Sequence, residues 1–175
     1  MSLSDFDYSL PDELIATHPA ARRDQSRLLH LARRPPALAH RCFAELPSLL
    51  RPGDCLVVND SRVIPARLLL QRPTGGRVEI LLVTPARDGE WEALVRPARK
   101  LPAGTQLDLP EAAGRIAITA VTGERTRRVR IELASMDLDS FLARHGRLPL
   151  PPYIVHRRKV TGEDPDAGAE DAERY

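Results

Sequence analysis

The sequence predicts a two-part molecule of mixed α/β (α+β) class, in which an α/β domain is interrupted by an inserted six-stranded antiparallel β-barrel. Two observations carry this. Six strand-like runs follow one another between residues 63 and 134: RVIPARLLLQ, RVEILLVTP, EWEALVRP, TQLDL, RIAITAV and RRVRIEL. They are separated by turn signals at Thr74, Gly75 and Gly76, at Asp88 and Gly89, at Ala103 and Gly104, and at Thr122 and Gly123. Several alternate between apolar and polar residues, and closure into a barrel would remove the exposed edges that such strands otherwise present. The second observation is DCLVVN (residues 54–59), whose apolar residues are continuous rather than alternating, as suits a strand buried on both faces.

Around these runs the order of elements can be read from local chemistry. LPDELIA (residues 10–16) sets a proline and two acids before apolar residues and reads as a short helix start. RLLHLA (27–32) reads as a strand, RRPP (33–36) as a turn, and CFAELPSLL (42–50) as a brief helix interrupted by Pro47. After the barrel runs, LASMDLDSFLARHG (133–146) is the clearest helix. Met136, Leu138, Phe141 and Leu142 form its apolar face, Ser135 or Asp137 caps it, and Gly146 stops it. LPLPPYI (148–154) is proline-stiffened and expected to be extended. The division expected is therefore residues 1–62 for the first part of the α/β domain and 63–134 for the barrel. A return helix and extended segment follow at 135–156, then a polar, mobile tail at 157–175.

Composition narrows the function classes. No run approaches the roughly 20 apolar residues that span a bilayer. The N-terminus MSLSDFDYSL has acids where a secretion signal has basic and apolar residues, so no membrane association and a cytoplasmic location are expected. Cys42 and Cys55 are too few for a disulfide framework and are expected to be reduced and buried. Of 26 basic residues only Lys100 and Lys159 are lysine. That bias suits phosphate recognition by the planar guanidinium, but an Ala-, Arg- and Pro-rich chain is more often the mark of a GC-rich genome than of a nucleic-acid site. The net charge is +2, yet residues 161–175 carry −5, which leaves +7 on the first 160. A basic body of this kind is compatible with an RNA partner.

Three segments can carry chemistry. NDSRVIPARL (59–68) follows the expected buried strand, where open α/β sheets bind ligands, and offers Asn59, Asp60, Ser61, Arg62 and Arg67. An Asn/Asp-capped turn with solvated arginines is the alternative. VRPARKLPAG (95–104) crowds Arg96, Arg99 and Lys100 into a loop between barrel strands, suited to phosphates or simply solvated. HGRLPLPPYI (145–154) offers Tyr153 for stacking on a base and His145 as a titrating group or a helix cap. There is no Gly-rich phosphate loop and no nucleophile elbow, and the five histidines form no metal-binding spacing.

DFDYSLPDELIATHP, RRDQSRLL, LRPGDCLVVNDSRVIPARL, GGRVEILL, VRPARKLPAG and HGRLPLPPYI occur here in the order found in the S-adenosylmethionine:tRNA ribosyltransferase-isomerases, which act in queuosine biosynthesis. The sequence resembles that family from Asp5 to Ile154. The resemblance implies an α/β domain interrupted by a six-stranded barrel. It also implies transfer of the ribosyl part of S-adenosylmethionine to 7-aminomethyl-7-deazaguanine in tRNA, rearrangement to the epoxycyclopentane of epoxyqueuosine, and release of adenine and methionine. S-adenosylmethionine is then a co-substrate activated by its own sulfonium, with no metal and no permanently bound cofactor. Asn59, Arg62 and Arg67 are the implied catalytic-site residues, the arginines gripping the methionine carboxylate or tRNA phosphates and Asn59 a ribose hydroxyl. Arg96, Arg99, Lys100 and Tyr153 are the implied RNA contacts. Family chains are about twice as long, so the resemblance implies an incomplete α/β domain whose C-terminal half is a missing partner, and a chain inactive by itself. A truncated, non-catalytic RNA- or protein-binding module is the alternative.

Overall fold

Alternation and turn chemistry act locally, and where they are strong the chain does what they specify. The computed structural model describes residues 2–164 and Asp171. Two units are distinguished, Met1–Ser61 with Pro151–Arg174, and Arg62–Leu150.

In the first unit Arg27–Arg33 (β1) and Pro36–Cys42 (β2) form an antiparallel hairpin, paired from Arg27 opposite Cys42 to Arg33 opposite Pro36. The turn falls where the paired prolines placed it. LPDELIA yields one 3-10 turn, Asp12–Leu14. Phe43–Glu45 makes another and leads into the short helix Leu46–Leu49 (α1). Pro47 sits in the first turn of α1, where its missing N–H costs nothing, so it starts the helix rather than interrupting it.

Three expectations in this unit are corrected. DCLVVN is not a buried strand: residues 54–59 form no regular element, and Val57 is 88% exposed. A strand needs neighbours for its N–H and C=O groups, and among the described residues this run has no strand partner. LPLPPYI is not extended throughout, because Pro152 opens a helix, Pro152–Val160 (α3), with proline again in the first turn. Cys55 is exposed rather than buried, while half-buried Cys42 donates its thiol to the Asp24 carbonyl at 3.2 Å; both are free. The expected tail begins inside α3, and its residues 165–170 and 172–175 lie outside the described residues.

The second unit holds the six-stranded antiparallel sheet. Its strands are Arg67–Gln71 (β3), Arg77–Pro85 (β4), Glu90–Arg96 (β5), Gln106–Asp108 (β6), Gly114–Val121 (β7) and Thr126–Leu133 (β8). They lie in the order β3-β4-β5-β8-β7-β6, and the outer strands β3 and β6 approach each other, so the sheet nearly closes. Alternate residues fill its interior: Leu68 and Leu70, Val78, Ile80 and Leu82, Ala93 and Val95, Leu107, Ile116 and Ile118, Val129. Register shifts between Leu82 and Thr84 in β4 and between Ile118 and Ala120 in β7 mark bulges, which bend a strand locally.

The helix Leu138–His145 (α2) completes this core, for Phe141 and Leu142 are buried in it. Asp137 caps it as expected, accepting from the Ser140 amide at 2.8 Å; that bond and the Ser140 hydroxyl hold its carboxyl below the usual range. The chain then returns to the barrel, where Arg67 and Arg147 exchange backbone hydrogen bonds of 3.0 and 2.8 Å. Gly146 allows that approach, since a β-carbon there would collide with the Pro65 carbonyl oxygen and come 2.6 Å from that of Leu142.

The span 63–134 stops short of Phe141 and Leu142, so we propose Arg62–Leu150 as the unit that folds alone. Burying each of those side chains is worth about 1.5–3 kcal/mol, against roughly 5–15 kcal/mol for a whole domain. Residues 62–150 should melt cooperatively by circular dichroism, and a piece ending at 134 should melt lower or without a sharp transition. Equal melting of the two pieces would show that α2 is not part of the barrel's core.

Candidate nucleic-acid interface

The expected site residues fall in both units. In the first, the Asn59 side-chain oxygen accepts from the Ser61 amide at 2.8 Å, so the Asn-capped turn foreseen as the plainer alternative is present. Tyr153, in the first turn of α3, is exposed, while Ile154 and Arg158 on the same helix are buried.

In the second unit Arg62 is exposed, and Arg67 opens β3 with its side chain almost buried and Nη1 4.0 Å from Glu79 Oε2. Arg67 is therefore engaged within the barrel wall. His145 packs its ring on Phe141 with centroids 5.1 Å apart, and its Nε2 lies 3.9 Å from Glu111 Oε2. That carboxylate is held more closely by Arg144, at 2.6 Å.

Arg96, Arg99 and Lys100 come together on one feature. Arg96 closes β5, Pro97 turns the chain, and Ala98–Lys100 forms a 3-10 turn closed by the Lys100 and Leu101 amides at 3.2 and 3.1 Å. Leu101, 0% exposed, pins the turn to the core and leaves the three cations in solvent. Such a turn offers long, charged donors on a fixed backbone, the arrangement that phosphate contacts need.

The neighbouring wall is charged but balanced. Glu90 lies opposite Arg130, and Glu92 opposite Arg128, with the acids 2.9 Å from their partners. The Thr122 hydroxyl, donating at 2.8 Å, and then Arg128 hold the Glu92 carboxyl below its usual range. The turn at 96–100 thus stands out from the strand face by its excess of cations.

Two residues of this region were not singled out from sequence. Arg127 is 5% exposed, and Arg125 is exposed beside it. The signal for Arg127 was present, because the alternation that puts Val129 inside puts Arg127 inside as well. An inward arginine breaks the apolar pattern and marks a polar anchor. Among the described residues, no group of three or more His, Cys, Asp or Glu side chains is placed to hold a metal ion, and no helix is long and apolar enough to cross a membrane.

The sequence model of a family described as queuosine biosynthesis protein matches residues 3–175. The chain belongs to this family. An S-adenosylmethionine:tRNA ribosyltransferase-isomerase from Anaeromyxobacter dehalogenans is 47% identical over 178 residues, covering 100% of this chain and 48% of that relative. One from Gloeobacter violaceus is 48% identical over 151 residues, 85% of this chain and 42% of that relative. A crystal structure of S-adenosylmethionine tRNA ribosyltransferase from Thermotoga maritima aligns with 36% identity over 91% of this chain and 55% of that one, with a TM-score of 0.39. The chain spans about half the length of the curated relatives it matches.

Proposed function

We propose that this chain serves the ribosyltransferase-isomerase reaction of queuosine biosynthesis, in the cytoplasm, and that its barrel holds tRNA through the turn bearing Arg96, Arg99 and Lys100. The observation that carries the reading is three exposed cations on a turn whose backbone is anchored by a fully buried leucine, in a chain from this family. Long cationic side chains on a fixed backbone lose little further freedom when they meet a phosphate.

The reaction moves the ribosyl part of S-adenosylmethionine onto 7-aminomethyl-7-deazaguanine in tRNA. The sulfonium makes the co-substrate its own leaving-group activator, so the protein's task is to bind, orient and stabilise developing charge. In this assignment Arg62 grips the methionine carboxylate or a tRNA phosphate, and Tyr153 stacks on a base. Asn59 orients a ribose hydroxyl, and Arg67, engaged within the barrel wall, fixes the start of β3. The exposed run Leu56, Val57 and Val58 supports a further partner, a strand from the half of the family's length that this chain does not span.

A tRNA titration at several salt concentrations tests the reading. Combined Arg96→Ala, Arg99→Ala and Lys100→Ala should weaken binding to an unmodified tRNA transcript by about tenfold or more. It should also flatten the dependence of log K on log salt by about 2 to 3, because three phosphate contacts are removed. Unchanged affinity and slope would take the turn off the RNA surface.

A further inference from the structure

Arg127 occupies a place where a hydrophobic residue would be expected. It lies on the inward register of β8, two residues before fully buried Val129. Its guanidinium makes four hydrogen bonds, and all go to backbone carbonyls. Nε donates to Leu101 at 2.7 Å, Nη2 to Ala98 at 2.6 Å, and Nη1 to Gly123 at 2.9 Å and Thr126 at 2.8 Å. Among the described residues no carboxylate pairs with it. A buried guanidinium costs desolvation wherever it sits, and here neutral acceptors alone offset that cost.

Those acceptors belong to two chain segments far apart in sequence. Ala98 and Leu101 bracket the basic turn, while Gly123 and Thr126 bracket the hairpin between β7 and β8. A planar fork with fixed N–H directions is suited to satisfying both at once, and a single ammonium is not. The hairpin is also tied to β5, since the Val95 amide donates to the Arg125 carbonyl at 3.0 Å. Arg125 therefore stands in solvent next to the residue preceding Arg96.

Resting on the proposed role of the turn, we infer that Arg127 is a positioning residue of the RNA surface, locking the 98–100 turn to the 123–126 hairpin so that Arg125 joins Arg96, Arg99 and Lys100 as a fourth phosphate contact. The buried charge adds to the same effect. With no counter-ion, its field reaches the surface through a low-dielectric wall and reinforces the cations above it.

Arg127→Lys separates positioning from charge, because it keeps the positive charge and most of the stem but cannot bridge four carbonyls. In the full chain, at a temperature well below the melt, it should weaken binding of an unmodified tRNA transcript by about tenfold and reduce the salt slope by at least about 1, with net charge unchanged. Purely structural support would lower the melting temperature and leave affinity and slope alone. Arg125→Ala, at an exposed position, should leave the melt unchanged and reduce the slope by about 1.

A folded Arg127→Lys chain with the original affinity and slope overturns the inference, and so does a silent Arg125→Ala. If Arg127→Lys does not fold, the Arg125→Ala slope alone decides. The triple variant of the turn distinguishes the two levels. Should it lose affinity while Arg125→Ala does not, the inference fails and the proposed function stands; should it too be silent, both fail.

Discussion

Asp171→Ala should destabilise the first unit by about 3–5 kcal/mol, the cost of breaking a buried, forked ion pair from one side. Arg158 is 2% and Asp171 3% exposed. They meet as a fork, Nη1 at 2.6 Å from Oδ2 and Nη2 at 3.0 Å from Oδ1, while Nε and Nη2 also donate to the Thr17 carbonyl at 3.1 and 2.8 Å. One guanidinium thereby joins α3, the N-terminal segment and Asp171. Removing the carboxylate breaks this fork while the guanidinium stays buried. Replacing both partners with apolar residues, Arg158→Met with Asp171→Leu, removes both charges of the pair, and the Thr17 carbonyl that loses its donors costs about 1–3 kcal/mol. The single substitution should therefore cost more than the double. Urea unfolding of the full chain measures both. A single substitution costing under about 1 kcal/mol, or no more than the double, would mean that the pair does not hold this unit together.

The barrel was legible in the sequence because its information is local. Arg128, Val129, Arg130 and Ile131 alternate, and the structure buries Val129 while Arg128 and Arg130 face outward to Glu92 and Glu90. The hairpins fell at Gly75 and Gly76, at Asp88 and Gly89, and at Thr122 and Gly123 for the same reason. The failures involve information the local sequence does not hold. DCLVVN has the composition of a buried strand, but pairing depends on distant chain, and among the described residues none supplies it. LPLPPYI contains both a stiff extended segment and a proline suited to a first helical turn, and its pattern alone does not say where one yields to the other. Arg127 was passed over because an arginine in a strand of outward arginines reads as one more surface charge. Only its phase relative to Val129 distinguishes it. For the site, sequence picked out the turn with Arg96, Arg99 and Lys100, and the structure adds the buried anchors Leu101 and Arg127 beneath it.

The most direct measurement of the proposed function is adenine release. The 175-residue chain is incubated with S-adenosylmethionine and a tRNA carrying 7-aminomethyl-7-deazaguanine, alone and when substituted for the matching 48% of the Anaeromyxobacter dehalogenans relative. Among the described residues the exposed Leu56–Val58 run leading to Asn59 has no strand partner, and a misplacement of about 1 Å can cost a hundredfold in rate. The isolated chain should therefore release no adenine above a protein-free control, and the chimera should release it in a tRNA-dependent manner. Release by the isolated chain, or a folded chimera that binds tRNA and releases none, would contradict the account.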